Sequence, residues 1–134
     1  MQSLCNELSE YNIPHTLEHG DFHDNNVLLQ NGNLTLNDWG DASISHPFFS
    51  CVSALKSAQK HHPWMRTTDL QKAYLDSWKS FGNEDRLLKA LKLAEKIRFF
   101  LFALRFSAVP FCKGGNQPAY RGYMAASLRD FIKN

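Results

Sequence analysis

Two short apolar runs, Val27-Leu28-Leu29-Gln30 and Leu34-Thr35-Leu36-Asn37, face each other across Asn31-Gly32-Asn33. Asn and Gly tolerate the positive φ that a tight hairpin turn demands, so this stretch predicts a β-hairpin. No other segment carries a strand signal of that strength. Apolar residues recur at helical spacing from Phe48 to about Gln59, and again from Thr68 to Phe81 through Leu70, Ala73, Tyr74, Leu75 and Trp78. Gly82 ends the second run, and Asn83 followed by Glu84 and Asp85 starts a long helix through Leu87, Leu88, Leu91, Ala94, Ile97, Leu101 and Leu104 to about Val109. A short helix over residues 3–11 ahead of Pro14, a loop from Pro110 to Pro118 and a last helix from about Tyr120 to Ile132 complete the pattern. One hairpin in an otherwise helical chain predicts an α+β fold, mainly α.

Composition narrows the classes of function. A chain of 134 residues, 43% hydrophobic and 21% charged, suits one folded domain over residues 1–134 and shows no repeat or linker. Lys and Arg number 15 against 13 Asp and Glu, a net charge of +2 that predicts neither nucleic acid nor an anionic membrane as partner. The longest apolar run, Phe99 to Leu104, is bracketed by Arg98 and Arg105, far short of the roughly 20 residues a bilayer span needs. The opening residues carry Glu7 and Glu10 with no basic segment before an apolar one, so no secretory signal is expected and the expected location is cytoplasmic. Cys5, Cys51 and Cys112 are odd in number and widely spaced, which reads as reduced thiols.

Residues with chemical capability cluster between 15 and 46: His15, His19, Asp21, His23, Asp24, Asn25, Asn26, Asp38, Asp41 and His46. Asp21 and Asn26 precede the first strand of the hairpin, and Asp38 directly follows the second. Antiparallel pairing returns the second strand to the start of the first, so Asn26 and Asp38 are predicted to face one small space although twelve positions separate them. Two hard oxygen donors at one strand end suit Mg²⁺.

HGDFHDNN at residues 19–26, the hairpin, and NDWGD at residues 37–41 together resemble the catalytic core of the aminoglycoside phosphotransferase and choline kinase family, whose fold is similar to that of protein kinases. His19, Gly20, Asp21, His23 and Asn26 match that family's HGDxHxxN pattern, and Asn26 follows Asp21 by five positions, as the Asn follows the Asp in a kinase catalytic loop. DASISHPFF at residues 41–49 also looks like bacterial members. The resemblance implies that Asp21 orients or deprotonates an acceptor hydroxyl, that Asn26 and Asp38 hold Mg²⁺ on the nucleotide phosphates, and that His23 stands near the γ-phosphate. His19 would support the loop from behind, and Gly20 would permit a tight backbone path. Asp41 has two readings, a substrate or second-metal contact and a cap for the segment that follows.

The implied reaction moves the γ-phosphate of ATP, with GTP as the alternative nucleotide, to a hydroxyl of a small molecule. The resemblance further implies the larger, C-terminal lobe of such an enzyme, with the N-terminal nucleotide-binding lobe absent from these residues. A longer chain or a partner chain would then supply it. Two other readings stand beside this one: a non-catalytic remnant or binding module that keeps the lobe, and a metal-dependent hydrolase in which His15, His19 and His23, spaced by four, hold zinc. His46 before Pro47 reads as structural, and His61 and His62 as solvated. Trp39, Trp64 and Trp78 read as packing residues, with Trp39 also placed to line a nucleotide cleft. Phe99, Phe100, Phe102 and Phe106 cover too many faces of their helix for one buried stripe.

Overall fold

In the computed structural model, residues 1–107 and 122–133 are described. Cys112, the Pro110 to Pro118 loop and the expected start of the last helix at Tyr120 lie outside them, as does the side chain of Phe106. Among the described residues there are five α-helices and two separate two-stranded antiparallel ladders, so the chain is α+β and mainly helical. Helix α1 spans Gln2–Ser9 and buries Leu8. Strand β1, Thr16–Glu18, runs into the loop that carries Asp21.

The expected hairpin forms from β2, Val27–Gln30, and β3, Asn33–Leu36, with Val27 opposite Leu36 and Gln30 opposite Asn33. Asn31 at φ 51 and Gly32 at φ 78 supply the two left-handed positions of its two-residue turn. A second ladder was not expected: β1 pairs with β4, Ser43–Ser45, in the register Thr16 to Ser45 and Glu18 to Ser43. Its strands are three residues long, and their large apolar side chains, Leu17 and Ile44, are exposed. Neither length nor alternation therefore signalled it. The ladder matters because it closes the chain between residues 19 and 42 into a loop whose two ends are held together.

Helix α2, Phe48–His61, begins directly after Pro47, whose ring presets a helical φ. Phe48 is fully buried at 0% exposure and takes the ring edges of Tyr74 and Trp78, each at a centroid separation of 5.8 Å. The run expected as one helix from Thr68 to Phe81 is divided. Helix α3, Thr67–Asp76, ends in tightened bonds from Ser77 N–H to Tyr74 O and from Trp78 N–H to Leu75 O, and a 3₁₀ turn, Lys79–Phe81, follows. The break turns Trp78 onto Phe48.

Asn83 Oδ1 accepts the Arg86 N–H at 2.9 Å, capping α4, Glu84–Ser107. Along α4, Leu87, Ala90, Leu91, Ala94 and Ile97 form one buried stripe, and α1, α2 and α3 pack against this helix. Beyond Ile97 the aromatics take separate partners: Phe99 faces Lys56, Phe102 faces Arg98, and Phe100 packs on Phe131 of α5, Tyr123–Lys133. That division explains why no single stripe accommodates them. Among the described residues no helix is long and apolar enough to cross a membrane.

Candidate active site

The loop between β1 and β2 is held from three sides. His19, 3% exposed, lies beneath it. The Asp21 N–H donates to His19 Nδ1 at 3.4 Å, which assigns the ring proton to Nε2, and Nε2–H then donates to the Asn37 carbonyl at 2.8 Å. One imidazole thus ties the backbone of Asp21 to the residue before Asp38. The ring also packs against Trp39 at 4.6 Å, while the Trp39 indole N–H donates to the Leu36 carbonyl. The His19 backbone N–H donates to Ser50 Oγ, and that hydroxyl donates to Glu18 Oε1 at 2.6 Å, so α2 anchors the loop's first residues.

Gly20 lies at φ +81, and a Cβ there would stand 2.2 Å from the Asp41 carbonyl oxygen. Only glycine lets the 3₁₀ turn Trp39–Asp41 come this close to the loop. On the other side Arg98, 7% exposed, donates from Nη2 to the Gly20 carbonyl at 2.5 Å and to Ser53 Oγ at 3.2 Å, with its guanidinium stacked 4.1 Å from the Phe102 ring. Further along, Asp24 Oδ1 accepts from Ser57 Oγ–H at 2.5 Å, and Asp24 Oδ2 lies 3.3 Å from His61 Nδ1. The Ser57 bond, ahead of the His61 charge, holds the Asp24 carboxyl below the usual range. His61 is exposed, as expected, and also contacts the loop through Asp24.

Asn26 is buried, and its Nδ2 donates to the Asp21 carbonyl at 2.9 Å. That bond orients the amide and leaves Oδ1 as its acceptor atom. The Asn37 N–H donates to the Asn26 carbonyl at 2.9 Å, extending the hairpin ladder by one step and bringing Asp38 next to Asn26. Asp38 is a non-glycine residue in the left-handed region, φ 60 and ψ 62, and its Oδ1 is turned toward Gly40, 3.6 Å from where a Cβ would stand. An amide oxygen and a carboxylate at one strand end fit a hard divalent cation that keeps water and phosphate oxygens as its other ligands. His23 Nδ1 accepts from the Asn25 N–H at 3.2 Å, and its Nε2 lies 3.3 Å from Asn26 Nδ2 and 3.5 Å from Asp21 Oδ2.

A family model for the phosphotransferase enzyme family (APH) matches residues 7–104, a span that contains the whole loop, both ladders and α2 to α4 up to Leu104. The chain belongs to this family. Nothing among curated proteins and nothing among solved structures matches it. Phosphotransfer is therefore the general chemistry of its family.

In this phosphotransferase-family chain a cleft of about 440 Å³ opens beside the loop, with Asp21, His23 and Asp24 on one wall, Lys56 and Lys60 of α2 on another, and Phe99 on its floor. Asn26, Asp38 and Asp41 do not line it. Asp21 thus stands between a cleft on one side and the Asn26–Asp38 pair on the other. Asp41 meets the loop through its backbone at Gly20. The imidazoles of the zinc reading do not converge: His19 and His23 each have their ring nitrogens engaged locally, and no three His, Cys, Asp or Glu side chains among the described residues form a metal-holding group. Arg98, Lys56 and Ser57 were not singled out from sequence. The only hint was Arg98, a charge beside the apolar run on the core helix.

Proposed function

We propose that this chain carries the phosphoryl-transfer centre of a Mg²⁺-dependent kinase acting on a small-molecule hydroxyl, with ATP as donor and GTP as the alternative. The observation that carries the reading is the position of Asp21, hydrogen-bonded through its backbone to both His19 and Asn26, between a cleft of acceptor size and a pair of hard oxygen donors. Phosphoryl transfer gains most from positioning the nucleophile and neutralising charge on the transferred group, and those two demands fall on opposite sides of this loop. Asp21 accepts the hydroxyl proton of a molecule seated in the cleft. Asn26 Oδ1 and Asp38 hold Mg²⁺, which neutralises charge on the donor phosphates when bound. His23, whose Nε2 lies beside Asp21 Oδ2 and Asn26 Nδ2, stands near the donor's γ-phosphate in this reading. Arg98 and His19 fix the loop backbone from behind.

The hairpin supports a further element of this reading. Leu29 and Leu34, paired across β2 and β3, are each 71% exposed, and Leu28 and Trp39 are exposed beside them. We propose that a nucleotide-covering unit, from the same protein or a partner chain, packs on this apolar surface and closes the donor site above Asp38. A cytoplasmic location, where nucleotide is abundant, accords with this activity.

Nucleotide binding tests the metal pair. Calorimetric titration of the natural protein with ATP is expected to show Mg²⁺-dependent binding that Asp38→Asn weakens by about tenfold or more, about 1.4 kcal/mol, with thermal stability unchanged because Asn also tolerates the left-handed backbone. Equal affinity in the variant contradicts the assignment of Asp38.

A further inference from the structure

Lys56 on α2 lines the cleft that Asp21 opens into, and Lys60, one turn on, lines it too. The Lys56 ammonium sits 3.7 Å from the Phe99 ring centroid. Among the described residues neither lysine has a carboxylate within ion-pair distance. Lys56 is exposed as a whole residue, but partial desolvation lowers its ammonium from the ordinary lysine value, and the pull of Asp130 and Glu95 in the other direction does not offset it. A cation in that condition gains from an anion that arrives with the ligand.

Asp130 of α5 also lines the cleft and attracts Lys56; of the other charges there, two are directed elsewhere. Asp24 is bonded to Ser57 and faces His61, and Arg98 donates to the Gly20 carbonyl and Ser53. Asp21 is reserved for the reacting hydroxyl. We propose that the acceptor is a small hydroxylated molecule bearing an anionic group, a carboxylate or a phosphate monoester, that pairs with Lys56 while its hydroxyl meets Asp21. The proposal rests on the phosphotransferase reading of the site. Phe99 supports the carbon frame between the two ends, and Lys60 adds positive charge at the rim. An acceptor carrying a quaternary ammonium or several amines meets like charge at Lys56 and is disfavoured. In the transfer itself the acceptor oxygen forms the bond to the γ-phosphorus as its proton passes to Asp21. The bond from that phosphorus to the bridging oxygen breaks, and its electron pair leaves on the nucleoside diphosphate.

Glycerate, glycerol 3-phosphate, glycerol and choline share a hydroxyl and differ in charge, so they are the probes. Calorimetry on the natural protein is expected to give at least about tenfold tighter binding for an anionic probe than for glycerol or choline. Lys56→Gln is expected to abolish that preference and Lys56→Arg to keep part of it. Choline binding as tightly as both anions overturns the proposal, as does an anion preference that survives in Lys56→Gln. A loss in Lys56→Gln that falls on MgATP affinity and spares the anions overturns it as well. Phosphate transfer measured on the same four compounds separates the two levels: transfer to choline or glycerol ahead of the anions defeats the acceptor class alone, whereas Lys56-dependent anion binding with no transfer to any hydroxyl defeats the phosphotransferase reading.

Discussion

At the scale of single residues, the site depends on two left-handed positions whose side chains have opposite requirements. Gly20 must lack a Cβ, because the Asp41 carbonyl occupies that space, whereas Asp38 accepts the strain of φ 60 to carry its carboxylate. Gly20→Ala is therefore expected to force the Trp39–Asp41 turn away from the loop, lowering stability by about 1–3 kcal/mol and reducing turnover more than its stability loss accounts for. Thermal melting together with steady-state kinetics checks this, and an alanine variant with unchanged kcat contradicts the proposed closeness of loop and turn. The approach of Asn26 and Asp38 was legible in sequence because a two-residue hairpin turn fixes where they lie, and Asp21 was marked by its motif. Arg98 and Lys56 were not, because their approach to the loop depends on how α4 and α2 pack, and 78 positions separate Arg98 from the carbonyl it holds.

At the scale of elements, the hairpin and the long core helix were readable, since Asn-Gly turns and apolar stripes are local signals. The β1–β4 ladder was not, since three-residue strands with exposed apolar side chains leave no alternation to read. Its exit leads to His46, which is buried at the foot of α2 with Nδ1 accepting the Phe48 N–H at 3.3 Å. Burial, assisted by the charge of His15, pushes its pKa down to about 4 from an ordinary 6.5. The folded state thus keeps His46 neutral while the unfolded chain protonates it, so this stability is whole above about pH 6.5 and declines as pH falls toward 4. Between about pH 7.5 and about pH 5 the loss is about 2 kcal/mol. Urea unfolding should show it in the wild type and not in His46→Asn, whose amide oxygen keeps the bond to Phe48. An identical pH slope in both proteins contradicts the assignment.

At the scale of the whole molecule, helices bury their apolar faces on one another while the hairpin exposes its own. Leu29 and Leu34 contribute little to this fold at 71% exposure, so Leu29→Asp with Leu34→Asp is expected to shift unfolding by less than about 1 kcal/mol. The same pair of changes is expected to weaken MgATP binding by the natural protein, because an apolar unit closing the donor site loses its seat. Undiminished affinity contradicts docking on the hairpin. The cleft proposed for the acceptor is lined from α2 and α4, away from the hairpin, so the proposal predicts that donor and acceptor binding are separable by mutation.

That separation makes Asp21 the point at which the account is most exposed to test. The direct measurement is transfer of the labelled γ-phosphate of ATP by the wild-type protein and by Asp21→Asn, with nucleotide affinity measured in parallel. The account predicts turnover reduced by about 10²–10⁴ in the variant and MgATP affinity within about twofold of wild type. Turnover that survives the substitution, or a loss that resides wholly in nucleotide affinity, would contradict it.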